Sequence, residues 1–433
     1  MRRSLLTDRA KFRRREPGFI ITLVAVFLLF VVGAMAALSI DIASFYTARS
    51  EAQIAADAAA LAGARVLANS GMTSSTDAAL ASQALSLCQT FAKQVGAANE
   101  VGGQSLIGKI TVSCAPAQQG NGNPTVGVHV QVVVPAFFAR IWGTTQVSIT
   151  ASATAEAYNP SGGLGIVTTT APPVAPLCVK PWLLPNINPR TGSGLIFDSL
   201  GNPADSSLLG WTSTSSTPLQ PACSTCSPGS LSAWQFYPGD PATTFQPPTS
   251  SLPSCSPALQ TDYQNSIAGC IPAPISCSQK ANMDVSSYPG DRYKDTADAV
   301  NCLTHATNAT TPGGADSIIS TNPPSAPFQF TVGAENPGAI ATPSLAGTNA
   351  IVSDSLVTVP VFDNGNGAVS GTDNQLIGLV QLFLNSDGNQ TTANGQVKAT
   401  VINLVGCQGI DANAHPVIGN GATAVPVRLI SPP

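Results

Sequence analysis

The feature that most constrains this chain is an uncharged apolar run over residues 19–40, FIITLVAVFLLFVVGAMAALSI. As an α-helix rising about 1.5 Å per residue, the run spans roughly 33 Å, which matches the ~30 Å hydrocarbon thickness of a bilayer. The preceding residues 1–18 carry seven basic side chains, whereas only Arg49 and Arg65 follow the run closely. The positive-inside rule therefore predicts a single membrane pass, with the amino terminus in the cytoplasm and the bulk of the chain outside.

A cleaved signal peptide is the competing interpretation of this segment. The small residues of Ala34-Met35-Ala36 fit a signal-peptidase site. Two observations favour the anchor instead: the apolar run exceeds the usual ~7–15 residues of a signal peptide, and a strong helical pattern continues past Ala36.

The remainder of the chain is acidic and poor in charge. Charged residues make up 10% of the sequence, against about 25% in an ordinary soluble protein. The net charge is −4 although the amino-terminal tail is basic, so the rest of the chain is acidic. This composition excludes a nucleic-acid partner, because binding to phosphates requires clustered Lys and Arg.

Ten cysteines agree with export, since an oxidising compartment permits disulfides. Seven of them fall within residues 159–327, which are rich in Pro, Ser and Thr, so we expect sparse regular structure and loops joined by disulfides. These cysteines are Cys178, Cys223, Cys226, Cys255, Cys270, Cys277 and Cys302. Their spacing does not specify which pairs form.

Residues 41–68 continue the apolar run as a helix, because they contain much alanine and no proline. A stripe of mostly small side chains recurs there at helical spacing: Ile42, Phe45, Ala52, Ala55, Ala56, Ala59, Gly63 and Val66. Small residues let another helix or sheet approach closely. The stripe is therefore a candidate surface for packing against a partner protein, and docking on the chain's own sheet is the alternative.

Three features occur together at the amino terminus: Gly18 before the apolar run, then Asp41-Ile42-Ala43-Ser44-Phe45-Tyr46, then Ala56-Asp57-Ala58-Ala59-Ala60-Leu61-Ala62-Gly63-Ala64. This arrangement resembles the TadE/TadG-like proteins of the bacterial tight-adherence (Tad, or Flp) pilus assembly system. The resemblance is close over residues 18–66. It implies a bacterial inner-membrane protein whose partners are other Tad pilus or secretion subunits.

The resemblance continues more loosely to about residue 158. A second helix is expected over residues 77–98, followed by strands over 110–113, 126–134 and 147–155, which alternate with period two. The linking segment 135–143 is similar to the Phe-Phe-Ala-Arg turn of many TadG-like proteins. A long membrane-rooted helix followed by an antiparallel sheet is also similar to the plan of type IV pilins.

One position departs from the pilin pattern. Pilins and TadE-type pseudopilins are cut after a glycine and carry a glutamate five residues later, whereas Gly18 is followed at that position by Leu23. The resemblance to TadG-like proteins therefore implies an uncut anchor. It does not imply a subunit that polymerises into a pilus.

Strand patterns return near the carboxyl terminus, over residues 329–332, 355–362, 376–384 and 398–405. The third of these is apolar on both faces apart from Gln381, which is typical of a central strand. In the second strand, Pro360 indicates an edge or a bulge.

Together these patterns predict an α+β fold. A single transmembrane helix extends into a pilin-like long helix with an antiparallel sheet, followed by a loop-rich, disulfide-stapled region and a small all-β carboxy-terminal unit. The expected boundaries are 1–18 for the basic tail, 19–40 for the membrane helix, 41–158, 159–327 and 328–433.

Candidate catalytic and metal-binding patterns are weak. Cys223-Ser224-Thr225-Cys226 has the spacing of a redox site, but it lacks the helix and parallel sheet that normally accompany one. The turns 363–367 and 385–389 offer oxygen atoms that calcium could accept, yet neither fits the twelve-residue calcium loop. The three histidines are far apart in sequence. We therefore predict no enzyme activity, no cofactor and no metal.

A short charged segment completes the candidates. Asp291, Asp295 and Asp298 lie at helical spacing beside Arg292 and Lys294, which predicts a solvated helix face in preference to a catalytic carboxylate pair.

The leading functional hypothesis is a membrane-anchored, extracytoplasmic component of Tad/Flp-type pilus assembly or secretion that acts by protein packing. The alternatives are an anchored surface adhesin or carbohydrate-binding protein that shares only the anchor, and an exported hydrolase or disulfide oxidoreductase.

Overall fold

The structure is a computed structural model. It describes residues 19–75, 77–116, 123–159, 174–199, 201–222, 234–241, 243–245, 255–277, 279–284, 292–306, 314–319, 326–350, 352–364, 369, 374–407, 415–417 and 423–430.

The described residues form helices of very different lengths. The helices are α1 (Phe19–Asn69), α2 (Ala78–Ala97), α3 (Asp262–Ala268), α4 (Arg292–Leu303) and α5 (Pro337–Ala341). Short 3-10 turns lie at Met72–Ser74, Ala139–Trp142, Ser206–Leu208 and Pro343–Leu345.

The strands fall into an amino-terminal and a carboxy-terminal series. The first series is β1 (Glu100–Val101), β2 (Gln104–Ser105), β3 (Ile110–Ala115), β4 (Thr125–Pro135), β5 (Gln146–Ala157), β6 (Val174–Pro176), β7 (Trp182–Pro185), β8 (Gln220–Pro221) and β9 (Gln235–Pro238). The second is β10 (Lys280–Ala281), β11 (Ser317–Ile318), β12 (Phe330–Thr331), β13 (Asn349–Ala350), β14 (Leu356–Asp363), β15 (Asn374–Leu384), β16 (Ala399–Gly406), β17 (His415–Val417) and β18 (Val427–Ile430).

Helix α1 is one uninterrupted element of 51 residues, about 77 Å long at 1.5 Å per residue. Its first part is long and apolar enough to cross a membrane, and the most hydropathic stretch is not buried by any other part of the structure. The second part is alanine-rich and packs against the protein. The prediction that the span continues outward as helix is confirmed.

A four-stranded antiparallel sheet covers the second part of α1, in the order β18-β5-β4-β3. Alternate residues of β4, from Val126 to Val134, are buried and face the helical layer, as the period-two pattern predicts. Helix α2 packs beside α1, and the Cys88–Cys114 disulfide joins α2 to β3. The last strand, β18, returns from the carboxyl end of the chain to close one edge of this sheet.

A seven-stranded sheet is the second large sheet of the described residues. Its main path runs β10-β15-β14-β7-β9-β8, and β16 also pairs with β15. Strand β15 is central and mostly buried, in agreement with its apolar pattern on both faces. A bulge between Val361 and Phe362 lies directly after Pro360, where the sequence indicates an edge or bulge. Strands from residues 159–327 and from 328–433 share this one sheet.

The two sheets also share a core. One cluster of buried residues runs continuously from Ala48 and Val130 to Leu183, Leu379 and Val405. A second cluster lies within the seven-stranded sheet and contains large side chains, among them Trp182, Phe197, Trp234, Phe236 and Tyr263. The α+β class predicted from the sequence is confirmed.

A network of buried amides fixes the end of α1 against the seven-stranded sheet. The Gln381 side-chain amide donates to Asn69 Oδ1 at 3.0 Å, and Asn403 donates to the Gln381 side-chain oxygen and the Ala68 carbonyl. Thr73 donates to Asn403 Oδ1 at 3.2 Å. Gln381, the one polar residue within the apolar stretch 376–384 of β15, thus meets the carboxyl end of the long helix.

Four disulfides lie among the described residues: Cys88–Cys114, Cys178–Cys270, Cys255–Cys302 and Cys277–Cys407. Five of the seven cysteines expected to join loops take part in them. Cys223 and Cys226 lie outside the described residues. Cys88, Cys114 and Cys407 were not in the expected set, because that set was drawn from the Pro- and Ser-rich region alone.

The charged face of α4 is solvated only in part: the Lys294 side chain is 72% exposed and pairs with Asp298, whereas Arg292 is covered. The Arg292 side chain is only 6% exposed and pairs with Asp284 at 2.9 Å and with Asp295 at 3.3 Å. Its guanidinium also lies over the Tyr263 ring, 4.5 Å from the centroid. The expectation fails at Arg292 because helical spacing places charges on one face but does not show that α3 packs against that face. Asp291 lies outside the described residues.

Candidate functional site

The stripe of small residues on α1 faces the chain's own elements. Ala52, Ala55, Ala56 and Ala59 are completely inaccessible, and Val66 is 7% exposed. The stripe is more exposed near the apolar half of α1, where Ile42 is 44% exposed and Phe45 is half-buried. The part from Ala52 onward therefore follows the second alternative, docking on this protein's own helix and sheet.

The small residues matter because α1, α2 and β4 approach one another closely at Gly63. A Cβ atom at Gly63 would lie 2.9 Å from Val126 Cγ1 and 3.1 Å from Cys88 Sγ. At Gly96 of α2, a Cβ atom would lie 3.2 Å from the Ala59 methyl group. The small residues of the stripe thus allow the two helices to pack closely within the molecule, and a larger side chain there would displace its neighbours.

The opposite face of the same helix is exposed. Tyr46 is 72% exposed and Ile54 is 61% exposed, with Ser50 and Gln53 beside them on the exposed surface. The spacing of four residues between Tyr46, Ser50 and Ile54 places these side chains on one side of α1. This surface is available to another protein, whereas the buried stripe is not.

Asp41 lies in α1 directly after the apolar half of the helix ends. Its side chain is fully buried, and its two oxygens accept hydrogen bonds from the backbone N–H groups of Phe137, Phe138 and Ala139 at 2.6–3.2 Å. A carboxylate placed at the amino end of the 3-10 turn Ala139–Trp142 satisfies donors that the turn leaves open. The contact therefore links the β4–β5 connection to the first residue after the apolar run.

Sequence reasoning did not assign this role to Asp41. The available signal is an acidic residue that directly follows an apolar span, in a stretch of helix where the flanking residues are uncharged. That signal indicates a carboxylate with a specific partner, since a buried charge requires compensation. It does not identify the partner, which lies almost one hundred residues along the chain.

A cleft of about 760 Å³ lies between β11 and the loops that flank the start of β16. It is lined by Trp211, the ion pair of Asp387 with Lys398 at 3.2 Å, Arg190 and several hydroxyl groups. Trp211 is half-buried and contacts Trp234, with ring centroids 5.0 Å apart. The lining combines an aromatic ring with charged and hydroxyl groups, a mixture that suits a polar ligand.

A buried lysine lies beside the seven-stranded sheet, just before β7. Lys180 Nζ donates to the carbonyls of Ile267 at 2.6 Å and Gly269 at 3.2 Å, at the carboxyl end of α3. Burial lowers the pKa of Lys180 from its ordinary 10.5 to about 8, against an opposing effect of Asp354. Its contacts are with helix-end carbonyls, so its placement is structural.

The candidate chemistry receives no support from the described residues. Among them, no group of three or more His, Cys, Asp and Glu side chains could hold a metal ion. His129, in β4, lies 3.0 Å from Ser152 Oγ, and His305, just after α4, lies 2.8 Å from Asp354. In the oxygen-rich turn 385–389, the Asp387 carboxylate pairs with Lys398. Cys223, Cys226, residues 365–367 and the His415 side chain lie outside what the structure describes.

Comparison with known proteins gives one match. Residues 18–66 match the Tad family model, which describes TadE/G-like proteins of Flp pilus assembly. The matched segment contains the apolar span, Asp41 and the small-residue stripe, and it confirms the resemblance seen in the sequence. No curated protein and no solved structure matches the chain.

Proposed function

We propose that this protein is a single-pass inner-membrane component of Tad/Flp-type pilus assembly or secretion, with its amino terminus in the cytoplasm and its sheets outside. It acts by binding other subunits and not by catalysis. The observation that carries the proposal is the family match over residues 18–66, because those residues form the one continuous helix that joins an apolar, uncovered half to a folded half.

The geometry of α1 supports this proposal. The apolar half is uncovered by protein, as a lipid-facing helix requires, and the second half is built into the core of the four-stranded sheet. Cleavage at Ala36 would remove the lipid-facing segment and leave Asp41 and the buried helix face in place, so the proposal expects the membrane-bound protein to retain an intact amino terminus.

The surface proposed for partner subunits is the exposed face of α1, which carries Tyr46 and Ile54. It lies next to the membrane segment and opposite the buried stripe. Ile54 is apolar and 61% exposed on α1. It is therefore a suitable contact for a second helix or sheet.

The proposal is tested by replacing Ile54 with glutamate in the bacterium that carries the gene. We expect the variant to fold and insert into the membrane but to lose surface pili or adherence, because a charge on the contact surface opposes packing. The measurements are electron microscopy of pili and co-purification of envelope proteins with the tagged chain.

Ile340→Glu is the matched control, since Ile340 is 68% exposed and lies in α5, away from α1. It should leave piliation unchanged. Normal piliation after deletion of the whole gene would contradict the proposal. Normal piliation with Ile54→Glu alone would contradict only the contact surface.

One observation favours the adhesin or carbohydrate-binding alternative, namely the cleft beside Trp211. An aromatic ring with surrounding hydroxyl and charged groups can bind a sugar. Binding of the full-length protein to a saccharide array, lost in Trp211→Ala, would favour this function. Equal signals from the two proteins would dismiss it.

A further inference from the structure

The connection between β4 and β5 presents four large apolar side chains to solvent. Phe137, Ile141 and Trp142 are 63%, 75% and 58% exposed, and Phe138 is 38% exposed. Aromatic residues make up only 6% of the chain, so three of them on one short turn form a marked concentration. A cluster of exposed apolar side chains indicates a surface that something covers.

Asp41 determines where this cluster lies. The apolar run ends at Ile40, and the next carboxylate binds the backbone of Phe137, Phe138 and Ala139. The turn is therefore held within hydrogen-bonding distance of the residue at which α1 leaves its apolar half. If that half fills the hydrocarbon layer, the turn lies at the bilayer surface on the outer side.

The composition of the turn fits that position. Tryptophan and other aromatic side chains are favoured at the boundary between headgroups and acyl chains. Arg140, exposed in the same turn, adds a positive charge that attracts anionic headgroups. The turn also contacts α1 at Asp41, directly after the uncovered half of the helix.

We propose that residues 137–142 form a second membrane contact, in which Phe137, Ile141 and Trp142 enter the outer interface of the bilayer beside α1. The contact rests on the membrane anchoring proposed above. A single spanning helix can rotate about its own axis, whereas a helix with a lateral interfacial contact cannot do so freely. The turn therefore sets the orientation in which the Tyr46 and Ile54 face is presented to other subunits.

The test is quenching of tryptophan fluorescence by brominated lipid. Full-length protein is reconstituted into vesicles of phosphatidylethanolamine and phosphatidylglycerol that contain phosphatidylcholine brominated near the carbonyl end of its chains. Of the four tryptophans, Trp182 and Trp234 are buried within the protein and Trp211 is half-buried in the cleft. Bromine at this depth should therefore quench Trp142 alone.

Two variants make the assignment specific. Trp142→Phe keeps an aromatic ring in the turn and should lose the lipid-dependent quenching, whereas the matched control Trp211→Phe should retain it. Asp41→Asn preserves the size of the side chain but removes its charge, so it should weaken the quenching of Trp142 while the protein still floats with the vesicles. Unchanged quenching in Asp41→Asn would contradict the positioning assigned to Asp41.

Flotation of the vesicles separates the two proposals. Protein that does not float with the vesicles contradicts the anchor and with it this inference. Protein that floats but shows no quenching of Trp142 contradicts the interfacial contact alone. Quenching that disappears as the protein density in the vesicles rises would show that a second copy covers the turn, which also overturns the lipid contact.

Discussion

The two largest sheets among the described residues share one buried cluster, but the core differs in kind between the part that packs on α1 and the part within the seven-stranded sheet. Around the four-stranded sheet, the buried side chains of α1 are mostly alanine, and Gly63 and Gly96 allow close approach of the helices. Within the seven-stranded sheet, the core is made of large side chains, and Trp182, Trp234 and Tyr263 are almost inaccessible. The core against α1 excludes water because small side chains let the backbones approach closely. The core within the seven-stranded sheet excludes water because aromatic side chains fill the interior.

This difference determines which changes each region tolerates. A small-residue core buries little apolar area per side chain, so its stability depends on unhindered approach and it is sensitive to enlargement. A core of aromatic side chains makes many dispersion contacts and is sensitive to truncation. The disulfides follow the same division, with one in the four-stranded sheet and three in the region that forms the seven-stranded sheet among the described residues.

The largest expected effect on stability comes from removing one disulfide from each region. Cys277–Cys407 closes a separation of 130 residues and Cys88–Cys114 one of 26. On the loop-entropy model, replacing both cysteines by alanine should lower the free energy of unfolding by about 5 kcal/mol for the first pair and about 3.5 kcal/mol for the second. Urea unfolding of the full-length protein in detergent micelles measures both values, and a reversed order would contradict the model.

The next comparison substitutes one residue in each core. Trp182→Ala removes a buried ring that stacks on Phe236 with centroids 4.9 Å apart, and should cost about 3–5 kcal/mol. Gly63→Ala adds a methyl group 2.9 Å from Val126 Cγ1, and should cost about 1–3 kcal/mol. Thermal unfolding of the two variants tests the ranking. An unchanged stability of Gly63→Ala would show that the contact between α1, α2 and β4 has room for a methyl group.

The third expected effect is a dependence on pH to which the buried Lys180 of the seven-stranded region contributes. The unfolded chain holds the Lys180 proton up to its ordinary pKa of 10.5, whereas the folded protein releases it above a pKa of about 8. The unfolded state therefore binds more protons between these values, and stability should rise with pH across that window by up to about 3 kcal/mol. Below about pH 8 both states hold the proton and the gain is absent.

Lys180→Met is the control for this pH dependence. It keeps a long side chain in the buried site and removes the titrating group, so the rise between pH 8 and the ordinary lysine pKa should disappear. Denaturant unfolding curves at several pH values measure the difference. The same rise in both proteins would assign the effect to another group.

The four-stranded sheet is the part of the fold that local pattern predicts well. Strands expected over 126–134 and 147–155 are observed as Thr125–Pro135 and Gln146–Ala157, because one buried face imposes a period of two on each strand. The helix expected over 77–98 is observed as Ala78–Ala97, with Asp77 as its N-cap. Each of these signals lies within a few consecutive residues.

The seven-stranded sheet was only partly predictable, for a physical reason. The sequence predicts its long strands β14, β15 and β16, but β8 and β10 contain two residues each and depend on partners elsewhere in the chain. The same limit applies to the candidate site. The sequence identified the stripe on α1 without showing what would cover it, and the role of Asp41 depends on backbone groups that only the folded hairpin brings near.

The amide network at the end of α1 has a mechanical consequence. The helix runs unbroken from its apolar half to the contact of Asn69 with Gln381, and the described residues place no hinge between them. A force applied to the far sheet is therefore transmitted to the apolar half of α1 as tilt of one stiff helix.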